Sequence, residues 1–356
     1  MASARSRIEP GTAPRRPRGS ARTAAAVAAI DQRVVPEAPS EGTLSRERVG
    51  DLQRTRILAA MVELVRERGV GGVTVAHVVE RSGVSRRTFY ELFEDREGCL
   101  LAAFEHAVSR VSAAVLPVYQ GAGGGSRWQE RVRAGLGAAL GFLDDEPTIG
   151  GLLIVDSLAA EHRVLERRAR ILDTLVDTVH RGARAHAPTV NGNRGAAPRI
   201  VAEGVVGGVL GVVHARLLDG GPRRLSGLLN QLMAMVVLPY LGPGAAAREL
   251  EYPTPRARRR APATRDPLRE LDMRLTYRTV RVLLAIAERP EASGRQVADA
   301  SGISDQGQMS KLLARLEHLG LIHNSAHGRG KGEPNAWTLT ESGCQVERAI
   351  RAQTGS

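Results

Sequence analysis

Apolar side chains recur at helical spacing along most of this chain. Ile57, Met61, Leu64 and Val65 fall on one face, and Gly69 fits the stop. The same period predicts helices over 102–115, 128–143, 151–186, 199–218 and 225–241. Asp144-Asp-Glu-Pro147 closes the second of these, and the third carries a charged face at Glu161, Arg163, Glu166, Arg167 and Arg170. A further helix is expected over 275–288. Strand signals emerge only near the end, at Leu321-Ile-His323 and Ala336-Trp-Thr-Leu339, on either side of a Gly-rich gap. The pattern predicts a mainly all-α chain that ends in a small α+β unit.

Two segments lack any such period. Residues 1–45 are rich in Ala, Arg, Pro and Ser, the composition of an unfolded tail. Residues 246–267 hold Pro253, Pro255, Pro262 and Pro267 and a basic knot from Arg256 to Arg260, which reads as a linker. The expected units are therefore a tail (1–45), a short helical domain (46–98), a longer helical domain (99–245), the linker (246–267) and a C-terminal domain (268–356).

Composition narrows the functional classes. The chain has 356 residues and is 42% hydrophobic, enough for more than one core. Its formal net charge is +12, and every basic residue except Lys311 and Lys331 is arginine. More than half of that excess lies in residues 1–50 and 248–266. The total alone is thus a weak guide to a polyanionic partner, and placement must carry the argument. Two cysteines far apart, Cys99 and Cys344, exclude a disulfide framework and a Cys-rich zinc module and suit a reducing cytosol. Both are expected as small buried apolar residues. The longest apolar stretch, Ile200 to Leu218, carries Glu203, His214 and Arg216, so no transmembrane segment and no membrane partner are expected. The Ala-rich run from Thr23 to Ile30 reads as tail, not as a signal sequence.

One short pattern occurs twice. Val78-Val-Glu-Arg-Ser-Gly-Val-Ser85 matches Val297-Ala-Asp-Ala-Ser-Gly-Ile-Ser304. Each ends a helix at Ser-Gly, turns, and presents an apolar residue and then Ser, as a helix-turn-helix requires. Gly83 and Gly302 are expected in the left-handed conformation that closes the first helix. Val84 and Ile303 plug the core, and Ser85 and Ser304 are placed to N-cap the second helix, worth ~1 kcal/mol. Arg86-Arg-Thr-Phe-Tyr-Glu-Leu-Phe93 follows the first turn. Phe89 and Phe93, four apart, pack inward, and Tyr90 sits on an adjacent face. Arg86, Arg87 and Thr88 crowd the helix N-terminus, where such a helix meets base edges in the major groove and arginine pairs with guanine.

These residues resemble a known family. Gly72-Val-Thr-Val75, Ser82-Gly-Val-Ser85, Phe89-Tyr90, Phe93 and Asp95-Arg-Glu97 with Leu100 look like the DNA-binding region of TetR-family transcriptional regulators, over residues 51–104. The resemblance implies that Thr74 caps the second helix, that Tyr90 contacts the DNA backbone, and that Arg96 takes a phosphate-binding place usually held by Lys. The chain departs from the pattern at Leu92. The helices from 105 to 242 are compatible with the family's variable ligand and dimer domain.

After the second turn, Leu312, Leu313, Leu316 and Leu319 form a buried stripe, which leaves Gln306, Gln308, Ser310 and Lys311 free to face a groove. The two strands then read as a β-hairpin wing with Arg329 and Lys331 at its tip. Residues 270–350, including Leu339-Thr-Glu-Ser-Gly343 after the wing, resemble a MarR-type winged helix. The resemblance implies a DNA or a protein contact, with Arg329 and Lys331 at a minor groove or on phosphates.

Other chemistry finds little support. Gly328-Arg-Gly-Lys-Gly332 lacks the first Gly and the final Ser/Thr of a phosphate loop, and no hydrolase or zinc-protease motif occurs. His318, His323 and His327 have no carboxylate or cysteine at ligand spacing, so no metal is expected. Asp156, His162, His180 and His214 are weak candidates for an effector site. Gly204-Val-Val-Gly-Gly-Val-Leu-Gly211, with Leu229, Leu232, Met233, Val236 and Val237, suits two helices that meet a second copy closely.

The expectation is a TetR-like helical DNA-binding and ligand/dimer domain followed by a small α+β winged helix. Its partners would be double-stranded DNA, a second copy of itself and a small-molecule effector, with no cofactor and no enzymatic activity. The expected role is a cytoplasmic, sequence-specific regulator, most simply a repressor. The alternative is a nucleoid-type architectural DNA-binding protein without effector control.

Overall fold

Gly69 ends the first helix with a positive φ of 69° and an amide that donates to the Val65 carbonyl at 2.8 Å. The helix itself, α1 (Arg46–Arg68), starts well before the Ile57 stripe. In this computed structural model, residues 46–121, 127–186, 189–190, 193–194, 197–220, 224–253, 276–325 and 335–354 are described. The tail 1–45, the arginine knot 256–260, and Arg329 and Lys331 fall outside them.

After α1 come a single 3-10 turn, α2 (Val75–Ser82), α3 (Arg86–Leu92) and α4 (Arg96–Gly121). Ile57, Met61 and Leu64 of α1 share one buried core with Val78, Phe89, Phe93, Cys99, Leu100 and Phe104. That core extends into the next segment through Ile149, Leu152, Ala160 and Val164.

The middle segment begins with α5 (Trp128–Asp145). The unbroken helix expected over 151–186 is interrupted. Residues 147–150 form one helical turn, 151–155 a π turn and 156–159 a 3-10 turn. Ala160 is extended (ψ 166°), and α6 (His162–His186) then resumes. The break has a packing reason. Ile154 faces a second core with Leu140, Val213 and Leu232, while Ala160 and Val164 face the first. A two-residue antiparallel ladder, β1 (Thr189–Val190) on β2 (Asn193–Arg194), is too short to leave an alternating pattern in the sequence. Then follow α7 (Arg199–Asp219), a 3-10 turn, α8 (Leu229–Leu241) and α9 (Pro243–Leu250).

The linker expected from Ala246 therefore starts later. Residues 246–250 are helical, and Glu249 is buried against Arg133 of α5, whose guanidinium also donates to Asn230 at 2.9 Å. A buried ion pair satisfied in this way holds α9 to the helical body.

The C-terminal segment comprises α10 (Tyr277–Glu288), α11 (Gly294–Ser301), α12 (Gln306–His318), β3 (Ile322–Asn324), β4 (Trp337–Leu339) and α13 (Glu341–Thr354). The strands pair antiparallel, Ile322 with Leu339 and Asn324 with Trp337. Val280, Leu283, Val297, Met309, Leu313, Leu316 and Ile350 form the core beneath them. Two residues of α1, Val49 and Leu52, are buried in this same core at 2% and 0% exposure.

One expectation needs correction here. Cys99 is buried, but Cys344 is exposed on α13, where Val346 and Ile350 supply the inward face instead. Helices α4 and α7 are each long and apolar enough, by length and composition alone, to cross a membrane. In α7 the charged residues Glu203 and Arg216 lie near the two ends and leave an apolar stretch between them. In α4 Cys99, Leu100 and Phe104 turn inward.

Candidate nucleic-acid interface

The first helix-turn-helix is built by caps and one glycine. Thr74 caps α2, its hydroxyl accepting from the His77 amide at 3.3 Å while its own amide donates to His77 Nδ1. Gly83 sits at φ 66° and closes the helix with an amide aimed at the Val79 carbonyl, 3.1 Å away. Val84 is buried in the turn. Ser85 then caps α3 by accepting from the Thr88 amide at 3.0 Å, and the two hydroxyls lie 2.9 Å apart. Phe89 is fully buried and Phe93 nearly so, with ring centroids 5.6 Å apart, so α3 is anchored by its inner face.

The outer face of α3 is left to solvent. Arg86, Arg87 and Tyr90 are exposed, and Ser85 and Thr88 are half-buried at the helix start. Arg87 is 89% exposed at its side chain and pairs with Glu91 at 2.9 Å. An exposed i,i+4 pair is worth only about 0.3–0.5 kcal/mol, so the guanidinium is readily redirected to a stronger partner. Arg86 lies over the Tyr90 ring at 5.9 Å. Leu92 is half-buried against the core and takes no part in this face. Arg96 stands apart from the others. Its guanidinium donates to the Val70 carbonyl at 3.0 Å and pairs with Glu161, ahead of α6.

The second helix-turn-helix repeats the scheme with one difference. Gly302 is left-handed (φ 64°) and Ile303 is buried, as in the first copy. The cap of α12 is Asp305, not Ser304: its carboxylate accepts from the Gln308 amide at 3.0 Å. A carboxylate one residue later suits the helix dipole as well as the orphan amides. Gln306, Gln308, Ser310 and Lys311 are all exposed, and Gln308 also pairs with Arg278 of α10. Met309, Leu313 and Leu316 carry the buried stripe, with Leu312 and Leu319 partly buried beside it.

Two family profiles fall on these two constructions. Residues 57–103 match bacterial regulatory proteins of the tetR family, and residues 275–330 match the MarR family. The chain thus carries a TetR-type DNA-binding segment and a MarR-type segment, as a DNA-binding transcriptional regulator does. No curated protein matches it. Solved structures similar to this chain include the transcriptional regulator FadR from Bacillus subtilis in complex with stearoyl-CoA. That match has 15% identity and a TM-score of 0.43, and covers 51% of this chain and 97% of that one. A TetR family transcription regulator from Marinobacter aquaeolei VT8 has 19% identity and a TM-score of 0.42, covering 54% and 98%. NalD, the secondary repressor of the MexAB-OprM multidrug efflux pump in Pseudomonas aeruginosa, has 16% identity and a TM-score of 0.42, covering 52% and 96%.

The four effector candidates are not gathered at one place. His162 is a surface residue paired with Glu166 at 3.0 Å. Asp156 is half-buried, and that burial raises its carboxyl above the usual range. It and His214 belong to segments that meet in the core of Ile154 and Val213. His180 belongs to a different one, beside Val179 and Ala183.

That other core holds two aromatic residues with no part in the patterns above. Trp128 of α5 is buried and meets Tyr240 of α8 edge-on at 5.5 Å. Among the described residues, Trp128 Nε1, Tyr240 OH and His180 Nδ1 are buried without a hydrogen-bond partner. Burial also pushes the Tyr240 phenol up. Three unpaired polar atoms near one apolar cluster are costly unless a partner arrives. Only the aromatic type of Trp128 and Tyr240 hinted at this, since a lone aromatic at helical spacing reads as ordinary core. Among the described residues no three His, Cys, Asp or Glu side chains gather as a metal site.

Proposed function

We propose that this chain is a sequence-specific repressor that binds its operator as a homodimer in the cytoplasm and is released by a small molecule. The observation that carries the reading is the outer face of α3, where Arg86, Arg87 and Tyr90 are exposed on a helix capped by Ser85 and pinned by Phe89. A rigid helix with exposed arginines at its N-terminus has the form that enters a major groove. In this reading Arg86 and Arg87 contact base edges. Thr74, Ser85, Thr88 and Tyr90 contact backbone, and Arg96 exchanges Glu161 for a phosphate. Gln306, Gln308, Ser310 and Lys311 of α12 contact a second stretch of duplex, helped by Arg329 and Lys331.

The helical unit 99–245 supplies the control. The second copy is expected on α7 and α8, where Ile200, Leu218 and Leu238 are 66%, 61% and 49% exposed. A Cβ added at Gly204, Gly207 or Gly211 would meet nothing within 4 Å, so that side of α7 is open to close approach. The effector is expected between α5, α6 and α8, where Trp128, His180 and Tyr240 offer polar atoms inside an apolar wall. Such a site suits a largely apolar molecule with two or three hydrogen-bonding groups. Its binding would favour one spacing of the two α3 helices in the dimer.

Selection of duplexes from a random pool by the full-length chain tests the reading. A palindromic consensus that disappears with Arg86→Ala/Arg87→Ala is expected. Retention of all sequences alike, with a steep salt dependence, would favour the architectural alternative.

A further inference from the structure

We propose that the first turns of α1 clamp the MarR-type unit to the TetR-type unit, so that α3 and α12 present themselves to DNA as one body at fixed spacing. The inference rests on the reading above that α12 contacts DNA, and it adds a geometry that this reading leaves open.

Three contacts along one helix carry it. Val49 and Leu52 are buried in the C-terminal core with Val280, Val346 and Ile350, and α1 packs on α10 and α13 there. Two residues further on, the Arg54 guanidinium lies over the Phe93 ring at 4.8 Å, at the exit of α3. At Arg56, Nε donates to the Ser82 carbonyl at 2.9 Å, at the end of α2. Four residues of helix span about 6 Å, so the anchor of the second unit and the turn of the first are about one helical turn apart. A hydrogen-bonded helix does not bend freely over that distance. The relation between the two units is therefore set by α1.

The consequence is a composite half-site. Each subunit would read two elements in a fixed order and on a fixed face of the duplex. An insertion of about 5 bp between them turns the second element to the far side, given a helical repeat of about 10.5 bp. A tether would absorb such a change, but a clamp would not.

The test uses the full-length chain and a duplex it selects from a random pool. The footprint first locates the two elements, and affinity is then measured with and without a 5-bp insertion between them. The clamp predicts about a tenfold or greater loss on insertion, and recovery of tolerance in Leu52→Asp. Amide exchange without DNA supplies a second readout. Leu52→Asp should speed exchange in residues 46–53 and in α10 and α13, and leave α3 and α4 protected. Equal binding to both duplexes, with both elements still protected, would overturn the proposal. So would fast exchange of residues 46–53 in the unaltered chain. A footprint confined to the α3 element, with residues 46–53 slow to exchange, would instead remove the DNA role of α12 on which the proposal rests.

Discussion

Arg96 pairs with Glu161, so a guanidinium at the start of α4 is held by a carboxylate on the segment leading into α6. The first helix-turn-helix unit and the helical body meet at this pair, together with Arg163, whose amide donates to Glu97 at 3.1 Å. A phosphate that claims Arg96 must first displace Glu161. Replacing Glu161 by Gln removes that competitor while it keeps the shape of the side chain. Operator affinity should rise, and the dependence of log K on log salt should steepen by about 0.9, the share of one phosphate contact. An unchanged slope would show that Arg96 serves only the internal contact.

Arg87 is exposed, and its ion-pair partner Glu91 is exposed as well. Arg87→Ala should cost about 1–3 kcal/mol of operator binding and relax preference at one position of each half-site. Uniform weakening on every duplex would assign the side chain to phosphate instead. Anisotropy titrations against single-position variants of the operator distinguish the two.

Gly182 faces Trp128 closely. A Cβ at residue 182 would lie 2.2 Å from the indole Cδ1, inside the wall of α5 and α6. Gly182→Ala must push the ring aside, at about 1–3 kcal/mol for overpacking. The denaturant midpoint should fall, and the Trp128 emission should shift with it. An unaltered midpoint and spectrum would mean that the two helices are looser than the contact implies.

The two cysteines should differ in reactivity. Burial raises the Cys99 thiol from 9.0 to about 12, although Arg54 nearby acts in the opposite sense, while Cys344 is exposed. A thiol reagent should therefore modify Cys344 alone in the folded chain. The raised value also has a stability consequence. Between pH 9 and about 12 the unfolded chain gives up the Cys99 proton and the folded chain keeps it. Stability from this group is thus complete below pH 9 and lost as pH rises. Cys99→Ala should make the alkaline decline shallower, and modification of both thiols at neutral pH would contradict the burial.

Much of this was legible in the residues. Ser82-Gly-Val-Ser85 and Ser301-Gly-Ile-Ser304 each carry a turn glycine and an apolar plug, and both do in the structure what that chemistry demands. The anchoring of α3 by Phe89 and Phe93 follows from their spacing. Other features were hidden for physical reasons. Val49 and Leu52 are two apolar residues in a polar stretch, too few to show a period, and their partners lie more than two hundred positions away. Ser304 and Asp305 are both good caps, and spacing alone does not choose between them. The break at Ala160 answers to two cores at once, which a one-dimensional pattern does not record. Among the effector candidates, burial rather than residue type singles out His180 and leaves His162 on the surface.

The central claim is that the helix beginning at Arg86 reads a duplex by sequence. The most direct measurement is the ratio of affinities of the full-length chain for its selected duplex and for a scrambled one of equal length, at physiological salt. The account predicts a ratio of at least about 10³, the lower end for specific binders, falling toward unity in Arg86→Ala/Arg87→Ala. A ratio near one for the unaltered chain would contradict it.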